Sequence, residues 1–279
     1  MTKPSLAALG RQFLSLHHGP KILVLPNVWD VAGARIFEEA GFPAIATSSA
    51  AIANSLGYPD GQRISRDEMI GVVKRIAAAV TIPVTADMEG GYGSQPEEVA
   101  ETAKRVIDAG AVGMNLEDAA DEDASTLADL SLQSEIIRAV CEAADRAGIP
   151  FVLNARTDIF LAGVGDPASR LERTIERLGA YREAGAQSLF APGIKDSETI
   201  GKLTQSVNGP LNILATVGSP SVSELERLGV ARISVGSGPM RATMGLLARM
   251  ARQIKNEGTF GLMTDGAMAY NDANRLFGG

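Results

Sequence analysis

Residues 145–158 read DRAGIPFVLNARTD, and this order of helix end, glycine, apolar strand and polar residues decides the fold. Gly148 stands just past the last turn of a predicted helix, at the position where glycine adopts a left-handed cap most easily. The apolar run 151–155 then predicts a short buried strand. Arg156 and Asp158 follow it directly, so the polar groups lie where the strand ends.

The same pattern recurs along the chain. Four further segments place a glycine between a helical stretch and an apolar run: EEAGFP (38–43), DAGAVG (108–113), REAGAQ (182–187) and ERLGVA (226–231). Strands that alternate with helices at this spacing form a parallel sheet, and eight such units favour closure into a barrel. The predicted strands are 22–25, 44–47, 84–86, 112–116, 151–155, 188–191, 211–214 and 232–235. Helices are predicted at 6–18, 30–40, 65–80, 96–109, 130–147, 167–184, 197–207, 221–228, 239–256 and 266–277.

The sequence therefore predicts an α/β protein with a single (β/α)8 (TIM) barrel domain spanning residues 1–279. An extra helix precedes the first strand and another follows the eighth helix. About 250 residues are typical of one such barrel. The 279 residues show no shift in composition that would mark a linker.

The composition argues against some classes of binding partner. The formal net charge is −7, from 26 basic and 33 acidic residues, which argues against a nucleic-acid ligand. No run of 18 apolar residues occurs, so we expect no membrane span, and the first residues do not have the pattern of a secretory signal. A single cysteine, Cys141, fits a reducing compartment, and the expected location is cytoplasmic.

Carboxylates follow the predicted strands at the end where barrel enzymes carry their chemistry. Asp87 and Glu89 are two residues apart and so point to the same side, and Glu117 ends the neighbouring strand. Converging carboxylates repel one another unless they are protonated or bind a cation. Hard oxygen ligands select Mg²⁺, with Mn²⁺ as the alternative. The two histidines, His17 and His18, are interpreted as solvated side chains of the first helix rather than zinc ligands.

Arg156 has two interpretations. Its guanidinium could bind the carboxylate of a substrate with two parallel hydrogen bonds. It could instead pair with a local carboxylate such as Asp158. Asp87 and Glu89 also have a purely structural interpretation, in which they cap the next helix or form a salt bridge.

Five segments on successive strand ends carry a family resemblance. They are LPNVWD (25–30), ATSSAAIANSLGYPD (46–60), TADMEGGYG (85–93), NLED (115–118) and NARTD (154–158). Together they resemble the isocitrate lyase/phosphoenolpyruvate mutase superfamily from about residue 23 to residue 238. The resemblance implies a Mg²⁺-dependent lyase or hydrolase that cleaves or forms a C–C bond next to a small 2-oxo acid, through a metal-stabilised enolate or oxyanion. A small 2-oxo or 2-hydroxy carboxylic acid is the expected ligand.

The resemblance also implies roles for individual residues. Asp87 is the expected direct metal ligand, and Asp60, Glu89 and Glu117 are expected to hold the metal through bound water. The expected substrate contacts are Ser48, Ser49, Ala50, Asp87, Arg156 and Asn212. Arg156, Glu117 and Asp60 are the expected catalytic residues.

The chain departs from the family in the loop after the fourth strand. Lyases of the superfamily carry a Lys/Arg-Cys-Gly-His motif there, and phosphonate enzymes carry a lysine and an asparagine. Residues 118–137 read DAADEDASTLADLSLQSEII, without any Lys, Arg, Cys, His or Asn. Cys141 lies in the following helix and is interpreted as a packed residue. Ser125, Thr126, Ser131, Ser134, Tyr58 and Tyr92 remain as uncharged donors, with no single one favoured.

Three functions stay open at this point: C–C bond chemistry, phosphonopyruvate hydrolysis or rearrangement of the phosphoenolpyruvate mutase type, and 2-oxo acid binding without turnover. The resemblance further implies a homo-oligomer, a dimer or tetramer, with the eighth helix (239–256) exchanged between subunits. That helix is rich in Met and Leu, which would equally suit packing on its own barrel.

Overall fold

The computed structural model of the protein describes residues 3–119 and 126–278. Its nine strands form one all-parallel sheet in the order β1-β9-β8-β7-β6-β5-β4-β3-β2. The strands are β1 (Leu23–Leu25), β2 (Asn27–Val28), β3 (Ile45–Thr47), β4 (Val84–Asp87), β5 (Gly113–Glu117), β6 (Val152–Arg156), β7 (Ser188–Phe190), β8 (Leu211–Leu214) and β9 (Arg232–Ser234).

The two ends of this order meet at Pro26. Only Pro26 separates β1, which pairs with β9, from β2, which pairs with β3. Proline has no N–H to contribute to a ladder, so the first barrel strand breaks there, while the Pro26 carbonyl still accepts from the N–H of Ala46 at 2.9 Å. The sheet thus forms a nearly closed barrel of eight strand positions, which confirms the predicted α/β barrel.

Helices follow the strands and cover the barrel. They are α1 (Leu6–Leu16), α2 (Val31–Glu39), α3 (Ser49–Ser55), α4 (Arg66–Ala79), α5 (Pro96–Asp108), α6 (Leu130–Arg146), α7 (Arg170–Glu183), α8 (Ser197–Ser206), α9 (Val222–Arg227), α10 (Gly238–Glu257), α11 (Gly261–Thr264) and α12 (Tyr270–Arg275). A 3₁₀ turn, Pro167–Ser169, precedes α7. A capping box is present at the start of α4, with Ser65 and Glu68 bonded reciprocally.

Five helices end as the glycine pattern predicts. The glycines of the five repeated segments all have positive φ, between 68° and 109°. They are Gly41, Gly110, Gly148, Gly185 and Gly229. A left-handed residue reverses the chain after the last helical turn, and only glycine adopts it without a steric penalty from Cβ.

The prediction for residues 49–55 was wrong. No helix was predicted between the strand 44–47 and the helix 65–80, and the structure forms α3 there. Ser48 caps the helix by accepting from the N–H of Ala51 at 3.4 Å, and Ile52 is completely buried beneath it. Small residues with high helix propensity, a serine cap and one buried apolar side chain suffice for a two-turn helix.

Helix α1 packs against one end of the barrel. Leu9 and Phe13 join Leu23, Leu25 and Val152 in an apolar cluster at the start of the strands. Gly10 allows the close approach, because a Cβ there would stand 2.1 Å from the carbonyl oxygen of Pro150.

The interpretation of both histidines as solvated was wrong for His17. Its side chain is buried, and Nδ1 donates to the Phe13 carbonyl at 2.8 Å, whereas His18 is exposed. The helix ends at His17 and turns its last side chain into the barrel, which a helical pattern read in isolation could not reveal.

None of the helices that the structure describes is both long and apolar enough to cross a membrane.

Candidate active site

The polar residues that follow the strands meet at one end of the barrel. Strands β3 to β6 are parallel and adjacent, so their C-terminal residues lie side by side at the same rim. Within this set, Asp87 ends β4, Glu117 ends β5 and Arg156 ends β6. We call this region the barrel mouth.

Asp87 is held from three directions. Its Oδ2 accepts from the backbone N–H and the hydroxyl of Ser49, both at 2.9 Å, and its Oδ1 accepts from Nδ2 of Asn115 at 3.2 Å. Its own N–H donates to Oγ1 of Thr47 at 2.8 Å. The carboxylate is only 9% exposed. Donors that point at both oxygens fix the orientation of the carboxylate.

Glu89 braces two loops against each other. Its Oε1 accepts from the N–H groups of Gly61 and Gln62 at 3.1 and 2.7 Å, and its Oε2 accepts from the hydroxyl of Tyr92 at 3.1 Å. Gln62 in turn accepts from the N–H of Tyr92 at 2.9 Å through its side-chain oxygen. Gln62, Glu89 and Tyr92 have φ between 53° and 58°, a backbone conformation that is strained for residues with a side chain. Such strain persists only where surrounding contacts hold the backbone in place, and the hydrogen bonds between these two loops do so.

Arg156 is shared by two carboxylates. Its Nη1 lies 2.6 Å from Oε2 of Glu117, while Nε and Nη2 donate to the two oxygens of Asp158 at 2.6 and 2.8 Å. The guanidinium also stands over the ring of Phe190, 5.8 Å from its centroid. The local pairing with Asp158 that the sequence left open is therefore present, and it fixes the plane of the guanidinium.

The barrel mouth carries more negative charge than its cations offset. Burial, followed by the charges of Asp87 and Asp60, raises the pKa of Glu89 to about 7 despite the opposing hydrogen bond from Gln62. Burial and the nearby carboxyl groups also raise the pKa of Glu117, against the opposing effect of Arg156. Carboxylates that resist ionisation in this way are the ones that a bound cation would stabilise.

The donor set fits a hard divalent cation. The side chains around Asp87 offer oxygen, and the two histidines lie elsewhere: His17 at the far end of the barrel and His18 at the surface. Within residues 3–119 and 126–278, no three His, Cys, Asp or Glu side chains converge enough to enclose a metal by themselves. Mg²⁺ keeps several waters and commonly contacts only one or two carboxylates, so a site of this kind needs no such cage.

The other predicted site residues do not all lie at the barrel mouth. Asp60 is exposed at the rim, close enough to raise the pKa of Glu89. Ser48 caps α3 and donates its N–H to the Val28 carbonyl at 3.1 Å, and Ala50 is half-buried in the first turn of that helix. Asn212 is completely buried inside the barrel, where its Nδ2 donates to Ser234 at 3.1 Å. The structure therefore brings Ser49, Asp87, Glu117 and Arg156 to the mouth and leaves Asn212 buried inside the barrel.

Several loop donors are occupied elsewhere. Ser134 donates to the Leu130 carbonyl within α6 at 2.7 Å, and the Tyr58 hydroxyl donates to Glu68 at 3.2 Å. Ser125 lies outside the described residues. Cys141 is half-buried and its thiol contacts the Gly185 carbonyl at 3.4 Å, as expected of a packed residue.

Two buried polar networks escaped the sequence reasoning. Asp118 follows Glu117 but points to the opposite side, where it accepts from Tyr181 at 2.6 Å, from Arg177 at 2.8 Å and from the N–H of Asp158 at 3.0 Å. The alternation of side chains along a strand could have separated the two acids. The second network runs below Asp87 through Asn115 and Arg232, and an arginine inside a predicted buried strand was the available signal.

The site is thus the carboxylate-rich mouth of an α/β barrel, and comparison with known proteins identifies the family. The phosphoenolpyruvate phosphomutase family model matches residues 13–255. An uncharacterized protein of Mycobacterium tuberculosis (strain ATCC 25618 / H37Rv) is 34% identical over 245 residues, covering 88% of this chain and 89% of that protein. The 2-methylisocitrate lyase of Escherichia coli (strain K12) is 31% identical over 248 residues, covering 85% and 80%.

A solved structure shows the same fold. A lyase/mutase-like protein of Burkholderia cenocepacia J2315 superposes with a TM-score of 0.92 at 40% identity, covering 98% of this chain and 97% of that one. The chain belongs to the phosphoenolpyruvate phosphomutase family, within the isocitrate lyase/phosphoenolpyruvate mutase superfamily.

Proposed function

We propose that this protein is a Mg²⁺-dependent lyase or hydrolase that cleaves or forms a C–C bond next to the oxo group of a small 2-oxo acid. The observation that carries the proposal is the fixed carboxylate of Asp87, surrounded by further carboxyl groups and facing Arg156 at the barrel mouth. Similarity to a 2-methylisocitrate lyase supports C–C chemistry. Mn²⁺ is the alternative cation, because it accepts the same oxygen ligands.

Asp87 would contact the cation directly, and Asp60, Glu89 and Glu117 would hold its waters. Glu89 can do so while bonded to Gly61 and Gln62, since each carboxylate oxygen has two lone pairs. When bound, the cation supplies electrostatic stabilisation of the negative charge that develops on the substrate's oxo oxygen.

Arg156 would bind the substrate's carboxylate. Asp158 holds Nε and Nη2, so Nη1, now on Glu117, is the edge of the guanidinium that a substrate can take over. That exchange would free Glu117 to receive or return a proton, so Arg156 and Glu117 are proposed as catalytic residues. Asp60, whose pKa is raised by desolvation of its carboxyl group, is proposed as the third. The segment Ser48–Ala50 would line the substrate's side of Asp87, and Asn212 would act from below.

The two other functions make different predictions. Phosphonopyruvate hydrolysis or mutase-type P–C chemistry is supported by the family model, but the acidic stretch 118–129 suits a phosphonyl dianion poorly. A 2-oxo acid binding protein would keep the cation site and show no turnover. We also propose a cytoplasmic location, a single domain over residues 1–279 and assembly into a homo-oligomer.

The test is a substrate panel with Mg²⁺: oxaloacetate, isocitrate, 2-methylisocitrate, dimethylmalate and phosphonopyruvate, followed by NMR. We expect turnover of one C–C substrate that EDTA abolishes and that Asp87→Asn lowers by about a hundredfold or more, since a lost contact to developing charge costs that much. Asp108→Asn is the matched control, because it makes the same change on an exposed residue at the C-terminal end of α5. Turnover of phosphonopyruvate alone would select the P–C alternative. Metal-dependent 2-oxo acid binding without turnover would select the binding protein.

A further inference from the structure

A chain of buried polar side chains crosses the barrel beneath Asp87. Oδ1 of Asp87 accepts from Nδ2 of Asn115 at 3.2 Å, and Oδ1 of Asn115 accepts from Nη2 of Arg232 at 3.3 Å and from Nδ2 of Asn154 at 2.8 Å. Nη1 of Arg232 lies 3.5 Å from Nε2 of His17 on α1. Arg232 and Asn154 are completely buried, and Asn115 is 5% exposed. Branched apolar residues usually fill this space in an α/β barrel.

The chain determines which way the amide of Asn115 faces. Arg232 and Asn154 both present donors to one side of it, so its oxygen must lie on that side and its NH₂ group must face Asp87. In the flipped orientation, the NH₂ group of Asn115 would face the donors of Arg232 and Asn154, and its oxygen would face the carboxylate of Asp87. Arg232 therefore controls a hydrogen bond that it does not itself make.

The stability of the fold does not explain why an arginine occupies this buried position. A buried guanidinium loses its hydration, which costs free energy of folding. Among the described residues, no carboxylate lies within 4.0 Å of it and its Nε has no hydrogen-bond partner. Burial lowers the pKa of Arg232 to about 9, and the charge that opposes this effect is that of Asp87. The guanidinium is thus a cation placed under the site and coupled to its central carboxylate.

We propose that Arg232 is a positioning residue that fixes the carboxylate of Asp87 for cation binding by holding the amide of Asn115. The inference rests on the proposed function, because it gives Asp87 the role of metal ligand. Arg232 touches neither substrate nor cation in this account. It acts only through Asn115.

Mn²⁺ alone is the probe, since its electron paramagnetic resonance spectrum reports the geometry of its ligands without any substrate. We expect Arg232→Met to keep Mn²⁺ binding but change the spectrum of the bound ion, and to lower kcat about tenfold or more with KM within about threefold, because small misplacements cost rate rather than affinity. Ile76→Ala is the control: it opens a cavity under α4, in an apolar cluster that contains none of the residues of this polar chain, and should leave the spectrum unchanged.

A double-mutant cycle tests whether Arg232 affects Asp87 through Asn115. If Arg232 acts through Asn115, then Arg232→Met changes kcat and the spectrum little when Asn115 is already leucine, and the two effects are not additive. If the apolar variants do not fold, Arg232→Lys replaces Arg232→Met, since it keeps a buried cation but lacks the planar fork that reaches both Asn115 and His17. It should change the spectrum in the same way.

The outcomes separate the two proposals. Wild-type protein that binds no Mn²⁺ would overturn the proposed function and this inference together. Mn²⁺ binding with the same spectrum in Arg232→Met, or additive effects in the cycle, would overturn this inference alone.

Discussion

At the scale of single residues, the buried His17 makes stability depend on acidity. Burial and the charge of Arg232 lower the pKa of His17 from 6.5 to about 3. The unfolded chain binds a proton on this residue below about pH 6.5, and the folded chain does not until about pH 3. The free energy of unfolding should therefore fall as the pH drops through this window, by up to about 1.4 kcal/mol per pH unit from this residue.

His17→Gln removes the titration while keeping a donor for Phe13 and an acceptor for Arg232. We expect urea midpoints between pH 4 and 6.5 to fall less steeply with acidification for this variant than for the wild type. The exposed neighbour offers a matched control, and His18→Gln should retain the wild-type slope. Equal slopes for wild type and His17→Gln would contradict a neutral buried imidazole.

Single residues also mark the limit of the sequence reasoning about the site. Asp87, Glu117 and Arg156 could be placed at the mouth because strand ends are visible in a sequence. Asn115 and Arg232 could not be paired, because they lie on opposite walls of the barrel and meet only through side-chain length. The strained backbone of Glu89 and Tyr92 arises from contacts with the loop at Gly61 and Gln62, about thirty residues away in the chain.

At the scale of elements, the glycines that end the helices were predictable from the sequence. Their left-handed backbone conformation, which is the physical reason for this pattern, can be tested directly. Gly148 and Gly71 both have open space where a Cβ would be added, but Gly148 has φ +68° after α6, while Gly71 lies inside α4. Alanine should destabilise at Gly148 by about 1 kcal/mol, the steric cost of a left-handed residue. It should stabilise at Gly71 by about 0.5–1 kcal/mol, because alanine has the higher helix propensity. Chemical denaturation measures both, and the same sign at the two positions would refute the conformational explanation.

Helix α3 shows what the element scale misses. Residues 49–55 lack the alternation of a strand and are too short for a convincing helical period, so no element was predicted there. Packing decides the outcome, since Ala51, Ile52 and Ala53 are buried against the barrel. The helix matters for the site because its first residue, Ser49, holds Asp87.

At the scale of the whole molecule, the barrel follows from the alternation of strands and helices, whereas its assembly does not. Helix α10 occupies the eighth position, but only Met240, in its first turn, is buried. Met244 and Leu247 are 51% and 64% exposed, and Phe260 and Met263 beyond the helix are also exposed. Helices α4 to α8 each bury at least three residues, so a monomer leaves the apolar face of α10 uncovered.

Another copy of the chain is the expected cover, in line with the predicted dimer or tetramer. An exposed apolar face of this kind marks an association surface, and its period of three to four residues suits packing on a partner's helices. Leu247→Glu should shift the protein from oligomer to monomer in sedimentation velocity, because burying a carboxylate without a partner costs more than an apolar contact gains. Glu257→Lys, at the exposed end of the same helix, changes charge without touching the apolar face and should leave the oligomer intact. A wild-type protein that sediments as a monomer at micromolar concentration would show instead that α10 stands uncovered in solution.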